Sequence, residues 1–125
     1  MSAHDVAISL RHMRDAARRA LEIAEPLRRE ELEENRVETL ALIRLVEVIG
    51  EAARRVPDEL RDSHRAIPWR QIVGTRDRLI HGYDQVDLDV LWTILREQLP
   101  GLVAGLDGIL SQLVFLPRSS ANKAP

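Results

Sequence analysis

The amino-acid sequence predicts an all-α fold, an antiparallel helical bundle, on three observations. Apolar residues recur in steps of three and four over long stretches, as the buried stripe of a helix requires. The apolar set is made of Leu, Ile, Val and Ala, with only 3% aromatic residues, and such side chains suit helix-on-helix packing. Pro26, Pro57 and Pro68 and the candidate capping residues fall where one stripe ends and the next begins.

The first stripe runs Val6, Leu10, Met13, Ala17, Ala20, Leu21, Ala24 and Leu27, with Ser2 or Asp5 placed to cap its start. Pro26 and the charged run LRREELEEN mark a break after it. A second helix is predicted over residues 30–56 on the stripe Leu42, Leu45, Val46, Ile49, Ala52, Ala53 and Val56, stopped by Pro57. Two long amphipathic helices joined by a short connection pack antiparallel. The polar stretch PDELRDSHRAIPW reads as a loop carrying one short helical turn. Pro68 and Trp69 open a third helix, which buries Ile72, Val73, Leu79 and Ile80 and ends near Gly82. Asp84 or Asp87 caps a fourth, with the stripe Leu88, Leu91, Trp92, Leu95, Leu99, Leu102, Val103, Leu106, Leu110 and Leu113. Pro100 and Gly101 are expected to kink or split it. Residues 1–116 therefore read as one helical domain, and 117–125, PRSSANKAP, as a disordered tail with little to bury.

Composition narrows the function. A net charge of -2 argues against a global positive field, so any nucleic-acid contact must be local. Without cysteine there is neither disulfide nor thiolate chemistry. The most apolar stretch, TLALIRLVEVIG, is broken by Arg44 and Glu47 and falls short of the ~20 apolar residues of a spanning helix. The N-terminal stretch carries no uninterrupted apolar core of a secretion signal, so a cytoplasmic location is expected. The six glycines stand at 50, 74, 82, 101, 105 and 108, with no phosphate-cradling cluster, and no cofactor is expected. His4, His12 and His64 have no metal-ligand spacing, and no metal is predicted. Glu47 and Glu51 lie one turn apart and read as structural partners of Arg54 or Arg55. Trp69 and Trp92 read as packing residues before base-stacking ones.

One segment concentrates chemistry. In GTRDRLIHGYD two arginines, an aspartate, a histidine and a tyrosine crowd the end of the third helix. Asp77 and His81, at i,i+4, share a face of this helix and can touch, so Asp77 could orient the imidazole. Arg76 and His81 stand about 140° apart on such a helix. A histidine that titrates near neutrality can take the proton of an RNA 2′-hydroxyl or give one to the leaving oxygen, and arginine can stabilise the phosphorane. Arg70 and Arg78, with Arg65 beside them in sequence, are candidates for a local RNA-binding patch. Residue types alone leave a second reading open, an imidazole favoured by a helix C-terminus within a surface ion-pair cluster.

The segment resembles the HEPN superfamily, and within it the prokaryotic HepT-like toxins, whose signature is Arg, four residues, His, any residue, Tyr. Arg76, His81 and Tyr83 complete it, and IGEAARRVPDEL, IPWRQIVGTRDRLIHGYDQVD and VDLDVLWTIL extend the likeness over roughly residues 5–110. The resemblance implies a four- to five-helix bundle that forms a homodimer with one composite cleft. It implies a metal-independent endoribonuclease toxin, with His81 as acid or base, Arg76 on the scissile phosphate and Asp77 in support. It also implies a partner, a MntA-like nucleotidyltransferase antitoxin that transfers AMP from ATP to the motif tyrosine, here Tyr83. A catalytically silent HEPN accessory protein that assists a minimal nucleotidyltransferase is the alternative, mildly favoured by the net negative charge; a purely structural helical dimer is a third.

Overall fold

The computed structural model describes residues 2–34, 36–81 and 85–123, with side chains through Leu113. It is all-α among these residues. Helix α1 (Ala3–Ala24) starts at a capping box in which the Ser2 hydroxyl accepts from the Asp5 backbone and the Asp5 carboxylate accepts from the Ser2 backbone. Both candidate caps thus act together, and the hydrogen bond from the Ser2 hydroxyl holds the Asp5 carboxyl below its ordinary pKa. The predicted break follows, with a turn past Pro26. The expected second helix is divided into a short α2 (Glu31–Glu34) and a long α3 (Arg36–Arg54), linked by the Thr39 hydroxyl donating to the Leu32 carbonyl.

Helix α1 packs along both α3 and the last long helix, α8 (Leu99–Lys123). Its direction against α8 follows from the ion pairs. Asp107 reaches Arg14 and Arg18, whereas Arg96, just before α8, donates to the carbonyls of Ala24 and Leu27 at the other end of α1. The two helices are therefore antiparallel, and Arg96, stacked over Trp92, satisfies orphan carbonyls at and just beyond the C-terminus of α1. Leu10, Met13, Ala17, Leu42, Val46, Ala53, Leu79, Leu91, Leu95 and Leu106 form the centre of the core.

Between α3 and α8 the chain makes the short α4 (Asp58–Ser63), where a helical turn was expected. Arg61 closes the end of α3 by donating to the carbonyls of Ala53, Arg54 and Val56. Ile67 presses onto α8 at Gly105, where a Cβ would come within 2.9 Å of its side chain. Trp69 is buried and its indole donates to the His64 carbonyl, which makes it a packing residue.

The expected third helix is two helices, α5 (Trp69–Val73) and α6 (Thr75–Leu79), hinged at Gly74. There ψ opens to 1°, away from the helical value, at a residue with little helix preference. The second helix also ends at Leu79, earlier than the Gly82 limit, because Ile80 turns extended and pairs with Val86 as an antiparallel bridge. Asp87 caps α7 (Leu88–Thr93); the other candidate, Asp84, lies outside the described residues. The disturbance expected at Pro100 is a π-helical stretch, Ile94–Gln98, in which the Leu99 backbone donates to the Ile94 carbonyl. Proline lacks an N–H for the carbonyl four residues back, and the wider turn just before it accommodates that loss. The backbone of α8 continues to Lys123, into the stretch 117–125 that composition reads as a tail. No helix among the described residues is long and apolar enough to cross a membrane.

Candidate active site

The site begins with a close helix crossing. Gly50 of α3 faces the carbonyls of Ile72 and Val73 at the end of α5, and a Cβ there would lie 3.2 Å from the Ile72 oxygen. The missing side chain lets α5 settle onto α3. The Gly74 hinge then directs α6 along α3, and Arg76 arrives beside Glu47, one helical turn before Gly50. The Arg76 Nε donates to the Glu47 carboxylate at 3.3 Å. Glu47 is only 19% exposed and Arg76 is 64% exposed, so the carboxylate is the seated partner and the guanidinium the outward one. Glu47 therefore pairs across the helix crossing, not with Arg54 or Arg55, and Glu51 lies 3.9 Å from Arg44. Sequence spacing identifies neighbours on one helix only, which is why the crossing partner is invisible to it.

His81 is placed by a hairpin-like turn. Its backbone donates to the Gln85 carbonyl at 2.8 Å, and the Asp87 backbone donates to the Leu79 carbonyl at 2.8 Å, on either side of the Ile80–Val86 bridge. Tyr83, together with Gly82 and Asp84, lies outside the described residues. The imidazole is 56% exposed, and its Nε2 stands 3.8 Å from the Asp87 carboxylate. That is ion-pair range for a protonated ring and too long for a hydrogen bond.

The helical i,i+4 relation expected between Asp77 and His81 does not arise, because α6 ends two residues before His81. The recorded carboxylate neighbour of His81 is Asp87. Sequence reading assigns Asp87 only the helix cap, and it does perform that, accepting from the Asp89 and Val90 backbones at 3.1 Å with one oxygen while the other faces His81. The start of α7 is further tied down by Asp89, which Arg29 grips at 2.7 Å; this acceptor raises the Arg29 pKa above its already high ordinary value.

The candidate RNA-binding arginines diverge. Arg78 donates to the Gln71 carbonyl at 3.0 Å and lines a concavity of about 250 Å³ with Asp87, Asp89 and Thr93, close to the His81 partner. Arg70 and Arg65 line a different concavity, with Arg61 and Trp69, which neither Arg76 nor His81 enters. Among the described residues no three His, Asp or Glu side chains converge as a metal site.

What the geometry presents at the α6 edge of the bundle is an outward Arg on that helix and an outward His two residues past its end, each beside an acidic group. The ribonuclease HepT-like family matches residues 13–108, a span that runs from α1 into α8 and contains the whole Arg76–His81–Tyr83 signature. The chain belongs to this family. Among its relatives, "Probable ribonuclease HepT" of Thermococcus cleftensis is 45% identical over 62 residues, 50% of this chain and 56% of that protein. "Putative RNase TTE0752" of Caldanaerobacter subterraneus subsp. tengcongensis is 38% identical over 74 residues, 59% of this chain and 66% of that protein. "Putative RNase MJ1380" of Methanocaldococcus jannaschii is 34% identical over 100 residues, 80% of this chain and 92% of that protein. The first two matches thus span less than two thirds of the relatives' own length. No solved structure matches the chain. Membership agrees with the signature read from the sequence, and it directs attention to the HepT-like edge around Arg76 and His81.

Proposed function

We propose that this HepT-like protein is a metal-independent endoribonuclease, acting in the cytoplasm as the toxin of a toxin–antitoxin pair. The observation that carries the reading is the exposure of both signature side chains, Arg76 on α6 at 64% and His81 two residues past its end at 56%, in a chain of this family. Cleavage needs no cofactor. A base takes the 2′-hydroxyl proton, the 2′-oxygen attacks the adjacent phosphorus, the bond from phosphorus to the 5′-oxygen breaks, and an acid protonates that leaving oxygen. Arginine stabilises the charge on the phosphorane.

One chain offers one signature histidine for two proton transfers. A homodimer in which two copies of the edge face one another supplies two imidazoles, one as base and one as acid, and two guanidiniums for the phosphate. Val37 and Leu40, 77% and 67% exposed on α3, offer apolar area to a second copy. Within each copy Asp87 supports His81; a supporting role for Asp77 is carried by the resemblance alone.

The same reading assigns control to a nucleotidyltransferase antitoxin of the MntA type. The Tyr83 oxygen attacks the α-phosphorus of ATP, pyrophosphate leaves and the phenolic proton is released. The adduct puts an anionic, bulky group two residues from His81 in sequence, within the signature that would engage RNA phosphates. A second reading, a silent accessory subunit of such a nucleotidyltransferase, is favoured by the net charge of -2 and by the acidic groups Glu47, Asp87 and Asp89 beside the edge.

Expression of the chain alone tests the proposal. Wild type is expected to arrest growth and cut RNA in EDTA, with cleavage lowered roughly 10²-fold or more in Arg76→Ala and His81→Ala. Co-expression with the nucleotidyltransferase is expected to add the mass of AMP to wild type and not to Tyr83→Phe. Equal behaviour of wild type and His81→Ala would sink the nuclease reading in favour of the accessory one.

A further inference from the structure

Arg76 and Glu47 meet across 29 residues of chain because the Gly50 notch brings α5 and α6 onto α3. The contact is made through Nε, at 3.3 Å. The contact uses Nε and not the terminal Nη1 and Nη2 pair, the fork that grips a phosphate, and the side chain as a whole is 64% exposed. The half-buried carboxylate, at 19% exposure, is the immobile partner, and the long arginine side chain is the one whose freedom the contact removes.

We propose that Glu47 is a positioning residue of the ribonuclease site. It touches neither RNA nor the reacting atoms; through Nε it aims the fork of Arg76 at the scissile phosphate. Stability does not require the contact, since an ion pair with so exposed a partner adds little to folding. A carboxylate beside a phosphate cleft also repels the substrate, so anion binding does not require it either. Orientation is the function left: an arginine held in its working direction before RNA arrives has already lost the rotamer freedom that it would otherwise lose on the way to the transition state.

The inference rests on the nuclease reading, and kinetics separate the two. The full chain would be assayed under single turnover on a fluorophore-labelled single-stranded RNA oligonucleotide, comparing wild type, His81→Ala, Glu47→Ala, Glu47→Gln, Arg76→Ala and the Glu47→Ala/Arg76→Ala double variant. Glu47→Ala is expected to lower the maximal rate about tenfold while the half-saturating concentration stays level or falls, because a repelling charge has gone. Glu47→Gln keeps an acceptor oxygen and is expected to recover most of the rate. The double variant is expected to cut no more slowly than Arg76→Ala, since Glu47 acts only through Arg76.

If Glu47→Ala does not fold, Glu47→Leu keeps the bulk of the side chain and replaces it throughout. A Glu47→Ala enzyme as fast as wild type overturns the proposal, and so does a loss that persists undiminished in the Arg76→Ala background. If wild type leaves the RNA intact, the nuclease reading falls and the positioning role falls with it. If wild type cuts and His81→Ala does not, the behaviour of Glu47 alone decides.

Discussion

Arg76 and His81 stand five residues apart in sequence, yet they are held by opposite means. Arg76 lies on a short helix and meets a half-buried carboxylate from a distant part of the chain, across a helix crossing kept close by a glycine. His81 lies just past that helix, its backbone bonded to Gln85 and its ring near a carboxylate six residues on. The guanidinium is thus placed by tertiary packing and the imidazole by local chain geometry. The first is exposed to any change in how α5 sits on α3; the second is exposed mainly to changes in the 79–87 turn.

Substitution at Gly50 breaks this contrast most forcefully. In Gly50→Ala the new methyl would lie 3.2 Å from the Ile72 carbonyl oxygen, so α5 must shift slightly on α3. Alanine returns about 1 kcal/mol of helix preference, which offsets much of an overpacking cost of roughly 1–3 kcal/mol. The melting temperature is therefore expected to change little, while RNA cleavage falls roughly 10- to 100-fold as Arg76 leaves its place. A wild-type cleavage rate would show that Arg76 does not depend on the crossing.

Asp87→Asn sharpens the other side. Asparagine is as good a helix cap, so the start of α7 is expected to stay intact and thermal stability to hold. The loss of charge beside a half-exposed imidazole is worth about 1 kcal/mol at most, a factor of about five in rate. A cleavage rate identical to wild type would remove Asp87 from the chemistry and leave it a cap.

The smallest effect is expected farthest from the edge. Hydrogen bonds from Ser2 lower the pKa of Asp5 in the folded state, so this carboxylate contributes stability above its unfolded pKa and loses it as pH falls through the folded value. Wild type and Ser2→Ala should differ slightly in melting temperature near neutrality and converge under acid. A gap that widens on acidification would contradict that sign.

Much of the fold was legible because it is local. The stripes that begin at Val6, Leu42 and Leu88 mark α1, α3 and the α7–α8 run, the Ser2–Asp5 and Asp87 caps are short-range chemistry, and Pro100 announces the π-helical stretch before it. Of the site, the signature residues were legible, whereas their partners were not. Glu47 was read with arginines of its own helix, and Asp77 with a helix that ends too soon.

The sequence by itself determined the apolar stripes of the long helices, the caps at Ser2–Asp5 and Asp87, and the family the chain joins, since periodicity, capping and motif spacing are properties of neighbours. Only the tertiary structure decided that Gly74 hinges α5 from α6, that Ile80 leaves the helix to pair with Val86, and that Glu47 seats Arg76. Those outcomes depend on how closely two helices approach and at what register they cross. That approach is set by many side chains packing at once and by the absence of one at Gly50, a sum over contacts that no single window of sequence contains.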